Sequence, residues 1–552
     1  MEKCMLLLKN GRFATMNEAQ PMAEAVVVDG ELFAYVGDNA GAEAYVRENC
    51  RTEAEIIDLN GGFVVPGFND SHMHFIHYVK AKNSVDLFGV SSMAELKTAM
   101  RRGLEKAELR GGRFLMGEGW NHENFTDEKR FPTRRDLDEI SRDVPIIIMR
   151  ACFHIGVLNS KAMEILGLNK ESAKKQGDFV ELDEQGEPNG VIKENYLDDI
   201  KAALPSASLE ELLESVLSAQ KDLFSLGITS VQSDDFKYAP DNRPYELMQG
   251  LREVSEKGLL KLRISEQALL TEQESLDEFF ARENAAMSDS RDCRVSTIKL
   301  LADGSLGGRT AYMLQAYADD SDNYGLAIYE QEQLDKLVLT AHEHNMPVAI
   351  HTIGDGSAEM ALVAIERAQK AAPQFTPRHG LVHCQVMNRA QLERMKSLGV
   401  QAYTQPVFIN GDMHIAPARL GEERVKSSYS WGTMLQLGIA QSFGTDSPVE
   451  GLNPMAGIYC AVSRCDFEGC GPFLPEQAIS VDQALYSYTA AGAYASGDEK
   501  IKGKIMAGML ADFVLLDRDL YSCPAAEILQ TRVLRTWVGG ECVYVSTLCV
   551  NK

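Results

Sequence analysis

Two histidines two residues apart, His72 and His74 in FVVPGFNDSHMHF, are the first residues whose types and spacing could do chemistry. In an extended segment, residues i and i+2 share a face, so both imidazoles can reach one cation. Alone the pair says little, because neighbouring histidines are common on protein surfaces. Four further residues change its meaning: Lys299 inside STIKLLADG, His351 at the end of MPVAIH, His383 in GLVHC and Asp446 at the end of IAQSFGTD. Each sits in, or at the carboxyl end of, a short apolar run. Imidazole and carboxylate ligands in an open site suit Zn²⁺ or a similar divalent metal, with one position left for water.

The elements that must position these residues follow from the same runs. Buried strands are expected at 63–68, 227–232, 262–268, 296–304, 346–351, 380–384, 400–405 and 439–446. Segments such as EQLDKLVLTAHEHN (332–345) and AEMALVAIERAQKAA (358–372) lie between them, with apolar residues three and four apart as one buried helix face requires. Strands alternating with helices in this number predict a (β/α)₈ barrel, whose active site gathers at the carboxyl ends of the strands. The interval 75–226 is too long for one crossover and holds its own strand candidates, RFLMGEGWN (113–121) and VPIIIMR (144–150), so it reads as an insertion after the first barrel strand. Both ends of the chain are strand-rich, with NG and DG between apolar runs, and predict one small sheet domain built from the two termini.

Composition narrows the partners. The 552 residues include 80 Asp plus Glu against 55 Lys plus Arg, a formal net charge of −25. Such a surface repels nucleic acid and anionic membrane at long range, so neither is an expected partner. With 45% hydrophobic and 24% charged residues the chain is ordinary for a globular protein, which excludes wholesale disorder. The apolar run Cys4–Leu8 is too short for a signal-peptide core, and no run reaches the roughly 20 apolar residues of a spanning helix. Eleven cysteines without a CxxC pair read as free thiols in a reducing cytoplasm. The expected location is cytoplasmic, and a homodimer is the general prior for such a chain.

Eight motifs together carry a resemblance: VVPGFNDSHMHF, GEGWN, GVIKE, IKLLADGSLGGRTA, IHTIGD, LVHCQ, GTDSPV and GKIMAGMLADFVLLD. The chain resembles the amidohydrolase superfamily, specifically the YtcJ-like branch (amidohydrolase family 3) that includes N-substituted formamide deformylases. GGRTA stands where GSRTA is the usual form, and Cys384 follows His383 where many relatives carry a smaller residue. The resemblance implies a TIM-like (β/α)₈ barrel over 62–503, a composite β-sandwich from 1–61 and 504–552, and an insertion at 76–222 that could roof the barrel mouth. It implies His72, His74, Lys299, His351, His383 and Asp446 as the metal site, for one or two ions, most simply Zn²⁺. In relatives with a lysine at this point, CO₂ can carboxylate it into a carbamate that bridges two metals, which makes Lys299 a candidate for that modification.

The expected activity is hydrolysis of a C–N bond of amide type, not a peptide bond, in a small-molecule substrate. A bound divalent metal lowers the pKa of its water toward about 7 and polarises the carbonyl. Asp446 is the expected catalytic base, taking the proton of the water and passing it to the leaving nitrogen. Trp120, Phe153, His154, Asp303 and Arg309 are candidates for substrate contact. His154 sits in ACFH, where relatives usually have a DGH-like motif. Two alternatives remain open at this level: a non-catalytic regulatory or binding protein on the same scaffold, and a metal-dependent deaminase, against which Lys299 counts.

Overall fold

Eight parallel strands carry the metal-ligand candidates. In the computed structural model they are β1 (Phe68–Met73), β2 (Ile228–Ser233), β3 (Arg263–Leu269), β4 (Cys293–Leu301), β5 (Val348–Thr352), β6 (Gly380–His383), β7 (Gln401–Thr404) and β8 (Gln441–Phe443). The structure describes residues 5–550 except 83, 107–113, 152–153, 205–207 and 283–289. Each strand pairs in parallel with the next, from β1 through β8, as the (β/α)₈ reading requires. Most strand residues are buried, as expected of parallel strands covered on both faces. The helices between them follow the expected periodicity. Helix Asp355–Ala371 buries Ala358, Ala361, Leu362, Ile365 and Ala368 along one side. Helix Arg389–Leu398 starts at a capping box of Asn388 and Gln391 and stops at Gly399, whose φ of 67° only glycine adopts without cost.

The barrel nearly closes at a seam between β8 and β1, where the turn after β8 bonds to β1 and to the residue just beyond it. The Asp446 amide donates to the His72 carbonyl at 2.8 Å, and the His74 amide to the Ser447 carbonyl at 2.8 Å. Asp70, fully buried, accepts from the Thr445 amide at 3.0 Å, the Thr445 hydroxyl at 2.5 Å and the His72 amide at 3.2 Å. Gly444 permits this approach: a Cβ there would lie 2.5 Å from the His72 nitrogen.

The first barrel strand differs from the sequence expectation. Only its tail belongs to the barrel; Phe63–Pro66 pairs instead with Phe513–Leu516 and Arg12–Ala14 in another sheet. The break falls where Pro66 has no N–H to donate. At the next residue, Gly67, a Cβ would meet the Thr229 hydroxyl at 2.2 Å. The chain therefore passes from one sheet to the next within FVVPGF, and His72 lies inside β1 with His74 just beyond it.

Strands from both ends of the chain share one core. A four-stranded sheet (Leu32–Gly37, Ala25–Asp29, Leu6–Lys9, Glu55–Asp58) and a six-stranded sheet (Glu541–Val545, Val533–Val538, Phe513–Leu516, Phe63–Pro66, Arg12–Ala14, Met22–Ala23) contribute to it. Leu8, Phe13, Val26, Phe33, Val64, Phe513 and Trp537 are among its buried side chains. Arg263 at the start of β3 ties the barrel to these sheets, its Nε 2.7 Å and Nη2 2.9 Å from the two Asp512 carboxylate oxygens.

Barrel and terminal sheets form one compact unit, residues 1–76 with 213–552; a second runs from His77 to Leu212, against the 76–222 expected from sequence. The second unit is built on a six-stranded sheet in which Leu115–Trp120 and Ile146–Arg150 run parallel side by side. It has its own two apolar cores, one around Leu87, Trp120 and Ile148 and one around Ile147, Leu158 and Leu197. Among the described residues, no helix is long and apolar enough to cross a membrane.

Candidate metal centre

The six residues singled out in the sequence come from β1, β4, β5, β6 and the turn after β8, and all six line one cavity of about 480 Å³ at the carboxyl end of the barrel. His72, His74 and Asp446 each offer a ligand atom within 4.8 Å of the others. The Asp446 Oδ1 lies 3.1 Å from His74 Nε2 and 3.4 Å from His72 Nε2. Lys299 Nζ stands 3.0 Å from the same His72 nitrogen. His383 Nε2 faces His351 Nδ1 at 3.0 Å. His383 and Asp446 hold positive φ values, 75° and 60°, a left-handed backbone that costs free energy in a non-glycine residue and concentrates at functional sites.

Each imidazole has one nitrogen committed to an acceptor, which determines what the other nitrogen can do. His72 Nδ1 donates to Gln267 Oε1 at 2.8 Å, and Gln267 is oriented by its own bond from Nε2 to the Ser71 carbonyl at 3.2 Å. His383 Nδ1 donates to Gln405 Oε1 at 2.7 Å, with Gln405 Nε2 on the Tyr403 carbonyl at 3.2 Å. His74 Nδ1 donates to the Asp234 carbonyl at 3.1 Å, and His351 Nε2 to the Gly304 carbonyl at 3.0 Å. With those protons placed outward, the inward nitrogens carry lone pairs. Outer acceptors that orient ligating histidines are the usual partners of a metal. The two lone pairs facing each other between His351 and His383 call for a cation between them, so the donor set fits a divalent metal.

Electrostatics agree with that donor set. Burial, then the charge of Lys299, pulls His72 and His351 down to about 4, and burial takes His383 well below its ordinary value. Neutral imidazole is the form that ligates. Burial opposes ionisation of Asp446, but the neighbouring His72, His74 and His383 outweigh it and hold the carboxyl well below the usual range. For His74, burial is outweighed by Asp446 and Asp234, which raise it. Asp446 thus draws positive charge to this point. Burial brings the Lys299 ammonium down to about 8, so the free amine is a far larger minority near neutral pH than in an ordinary lysine.

The remaining candidates divide. Asp303 lines the cavity and accepts from the Ile353, Gly354 and Tyr312 amides and the Ser357 hydroxyl, fixing the loop beside His351. Arg309 is engaged elsewhere, in a two-pronged pair with Asp319 at 3.1 and 2.9 Å, so it braces a loop rather than facing ligand. Trp120 is fully buried in the second unit's core against Phe131 and His122, which makes its indole a packing group. His154 is exposed and pairs with Glu194 at 3.2 Å. Phe153 lies outside the described residues. Gln267, Gln405, Asp234 and Asp70 escaped the sequence reading. Their one local signal is a polar side chain in or just beyond a buried apolar run.

This constellation at the carboxyl end of a parallel barrel defines a class, and comparison with known proteins supplies the family. Residues 55–544 match the amidohydrolase family described as Amidohydro_3, and the chain belongs to that family. It is 31% identical over 538 residues to YtcJ of Bacillus subtilis (strain 168), which carries an amidohydrolase name, covering 97% of this chain and 98% of that one. It is 27% identical over 559 residues to an N-substituted formamide deformylase of Arthrobacter pascens, covering 98% of each. Among solved structures, an uncharacterized metal-dependent hydrolase from Pyrococcus furiosus superposes with a TM-score of 0.76 at 30% identity, covering 94% of this chain and 100% of that one. Family and structural neighbour together support hydrolase activity and a divalent metal.

Proposed function

We propose that the chain hydrolyses a C–N bond of amide type in a small molecule, at a divalent-metal centre held by His72, His74, Lys299, His351, His383 and Asp446. The observation that carries this reading is the set of outward-tied imidazoles, whose inward nitrogens meet Asp446 and Lys299 at His72 and His74 and face each other at His351 and His383. Nitrogen and carboxylate donors of this kind favour zinc. When bound, the metal supplies Lewis acidity, polarising the scissile carbonyl and acidifying water. Asp446 then takes the proton of the attacking water on its carboxylate and returns it to the leaving nitrogen. Lys299 is placed to react as free amine with CO₂, the nitrogen lone pair forming the N–C bond of a carbamate while one proton leaves to solvent. That change turns a cation into an anion able to serve both the His72–His74 and His351–His383 groups. The deformylase relative supports N-substituted formamides as the first substrates to try.

The test is metal analysis, intact mass and turnover on N-substituted formamides and simple amides. Bound metal, the added mass of one CO₂ that Lys299→Met loses, and hydrolysis are expected. Asp446→Asn should keep an oxygen near the histidines and lose roughly 10²–10⁴-fold in turnover. Full activity in that variant, or a metal-loaded protein that cleaves none of these bonds, would sink the reading.

A further inference from the structure

Among the acceptor-bearing side chains that line the cavity outside the metal-ligand set are Gln385, Asp412 and Glu450. They come from the segments that follow β6, β7 and β8, on the substrate-facing end of the barrel. Gln385 is 4% exposed, and its Oε1 has no hydrogen-bond partner among the described residues. Its Nε2 donates to Asp412 Oδ2 at 3.2 Å, which settles which amide atom is the unpaired acceptor. A buried amide oxygen without a donor is costly, so it points to a ligand that supplies one. Tyr429 also donates to Asp412 Oδ2, at 2.7 Å, so both bonds hold the carboxylate in place without using Oδ1. The Tyr429 amide in turn donates to the Gln385 carbonyl at 2.7 Å, and Arg464 Nη1 to the Tyr429 carbonyl at 3.2 Å. Gln385 and Asp412 are thus fixed from behind, and with Glu450 they offer acceptors and negative charge.

We propose that Gln385, Asp412 and Glu450 form a subsite for an organic cation, a primary ammonium or guanidinium group carried by the substrate away from its scissile bond. This inference rests on the hydrolytic reading for its location beside the reacting bond. A multi-donor cation satisfies the Gln385 oxygen and both carboxylates at once, and charge-assisted bonds of this kind are the strong ones. A second metal ion is a poorer occupant. Among the described residues only His72, His74 and Asp446 gather three His, Cys, Asp or Glu ligand atoms close enough for one. The electrostatics point the same way: burial, then the charges of Asp412 and Asp446, push the Glu450 carboxyl up to about 7, and a cation placed beside these carboxylates would offset that.

Calorimetry on the metal-loaded full chain tests this with N-(4-aminobutyl)acetamide, which carries an ammonium, and its neutral isostere N-pentylacetamide. The ammonium amide should bind at least roughly tenfold more tightly, the size of one charge-assisted hydrogen bond. Glu450→Gln, and separately Asp412→Asn, should remove most of that preference and leave the affinity for the neutral amide unchanged. Equal binding of the two amides, no binding of the ammonium amide, or a preference that survives both substitutions overturns the subsite. Charge discrimination without hydrolysis of either amide counts against the hydrolytic reading and supports the subsite. Hydrolysis without discrimination does the reverse.

Discussion

Replacing Gln267 with leucine should weaken metal binding without touching a ligand. His72 is 1% exposed, and its Nδ1 proton has Gln267 Oε1 as acceptor at 2.8 Å. Leucine is close in size but accepts nothing. The ring must then keep a buried, unpaired N–H, at a cost of about 1–3 kcal/mol, or turn or change tautomer and lose its inward lone pair. At about 1.4 kcal/mol per factor of ten, this corresponds to a loss of roughly 5- to 150-fold in metal affinity. That range overlaps the 10- to 100-fold typical for outer-shell substitutions at metal sites. The assay is competition with a chelator of known affinity, read on protein first stripped of metal. Gln267→Glu, which retains an acceptor, should recover most of the affinity, and the melting temperature of the stripped protein separates a binding defect from a folding one. An unchanged dissociation constant in Gln267→Leu, with the fold intact, would refute the argument that the outer acceptor sets the ring's ligating nitrogen.

Thr445→Val removes the hydroxyl that donates to buried Asp70 at 2.5 Å, and should lower stability by about 1–3 kcal/mol in urea unfolding while loosening the β8–β1 seam that carries Asp446. Asp512→Ala leaves Arg263 buried with one of its two carboxylates gone and the Gly539 amide unpaired, so a loss of about 3–5 kcal/mol is expected by the same measurement. In the second unit, burial acts to raise Asp136, but Arg130 and the Thr133 amide and hydroxyl hold it below the usual carboxylate range. A carboxyl lowered in the folded state stabilises above its unfolded pKa of about 3.9 and loses that stabilisation as pH falls through the folded value. Melting temperatures of wild type and Asp136→Asn should therefore differ at pH 7 and converge under acid conditions; a constant gap would contradict the assignment.

Much of the fold was legible because parallel strands buried on both faces leave short apolar runs, and the helices between them show a one-sided period. The register of those runs also placed four histidines, a lysine and an aspartate at strand ends, which is why the ligand candidates could be chosen before their meeting was seen. FVVPGF shows where such reading stops. An unbroken apolar run does not reveal that its two halves enter different sheets, since Pro66 and Gly67 break the ladder through contacts with residues far along the chain. Trp120 shows another limit: an aromatic beside a motif looks the same in sequence whether it meets ligand or fills a core.

Local sequence recorded the residue types and the positions along each strand, because side-chain alternation and apolar runs are properties of neighbouring residues. Which nitrogen of each ring faces the centre was decided only by tertiary structure. The acceptors lie 195 residues from His72, 160 from His74, 47 from His351 and 22 from His383. A hydrogen bond across the barrel determines the tautomer, and no pattern within a single strand contains its partner.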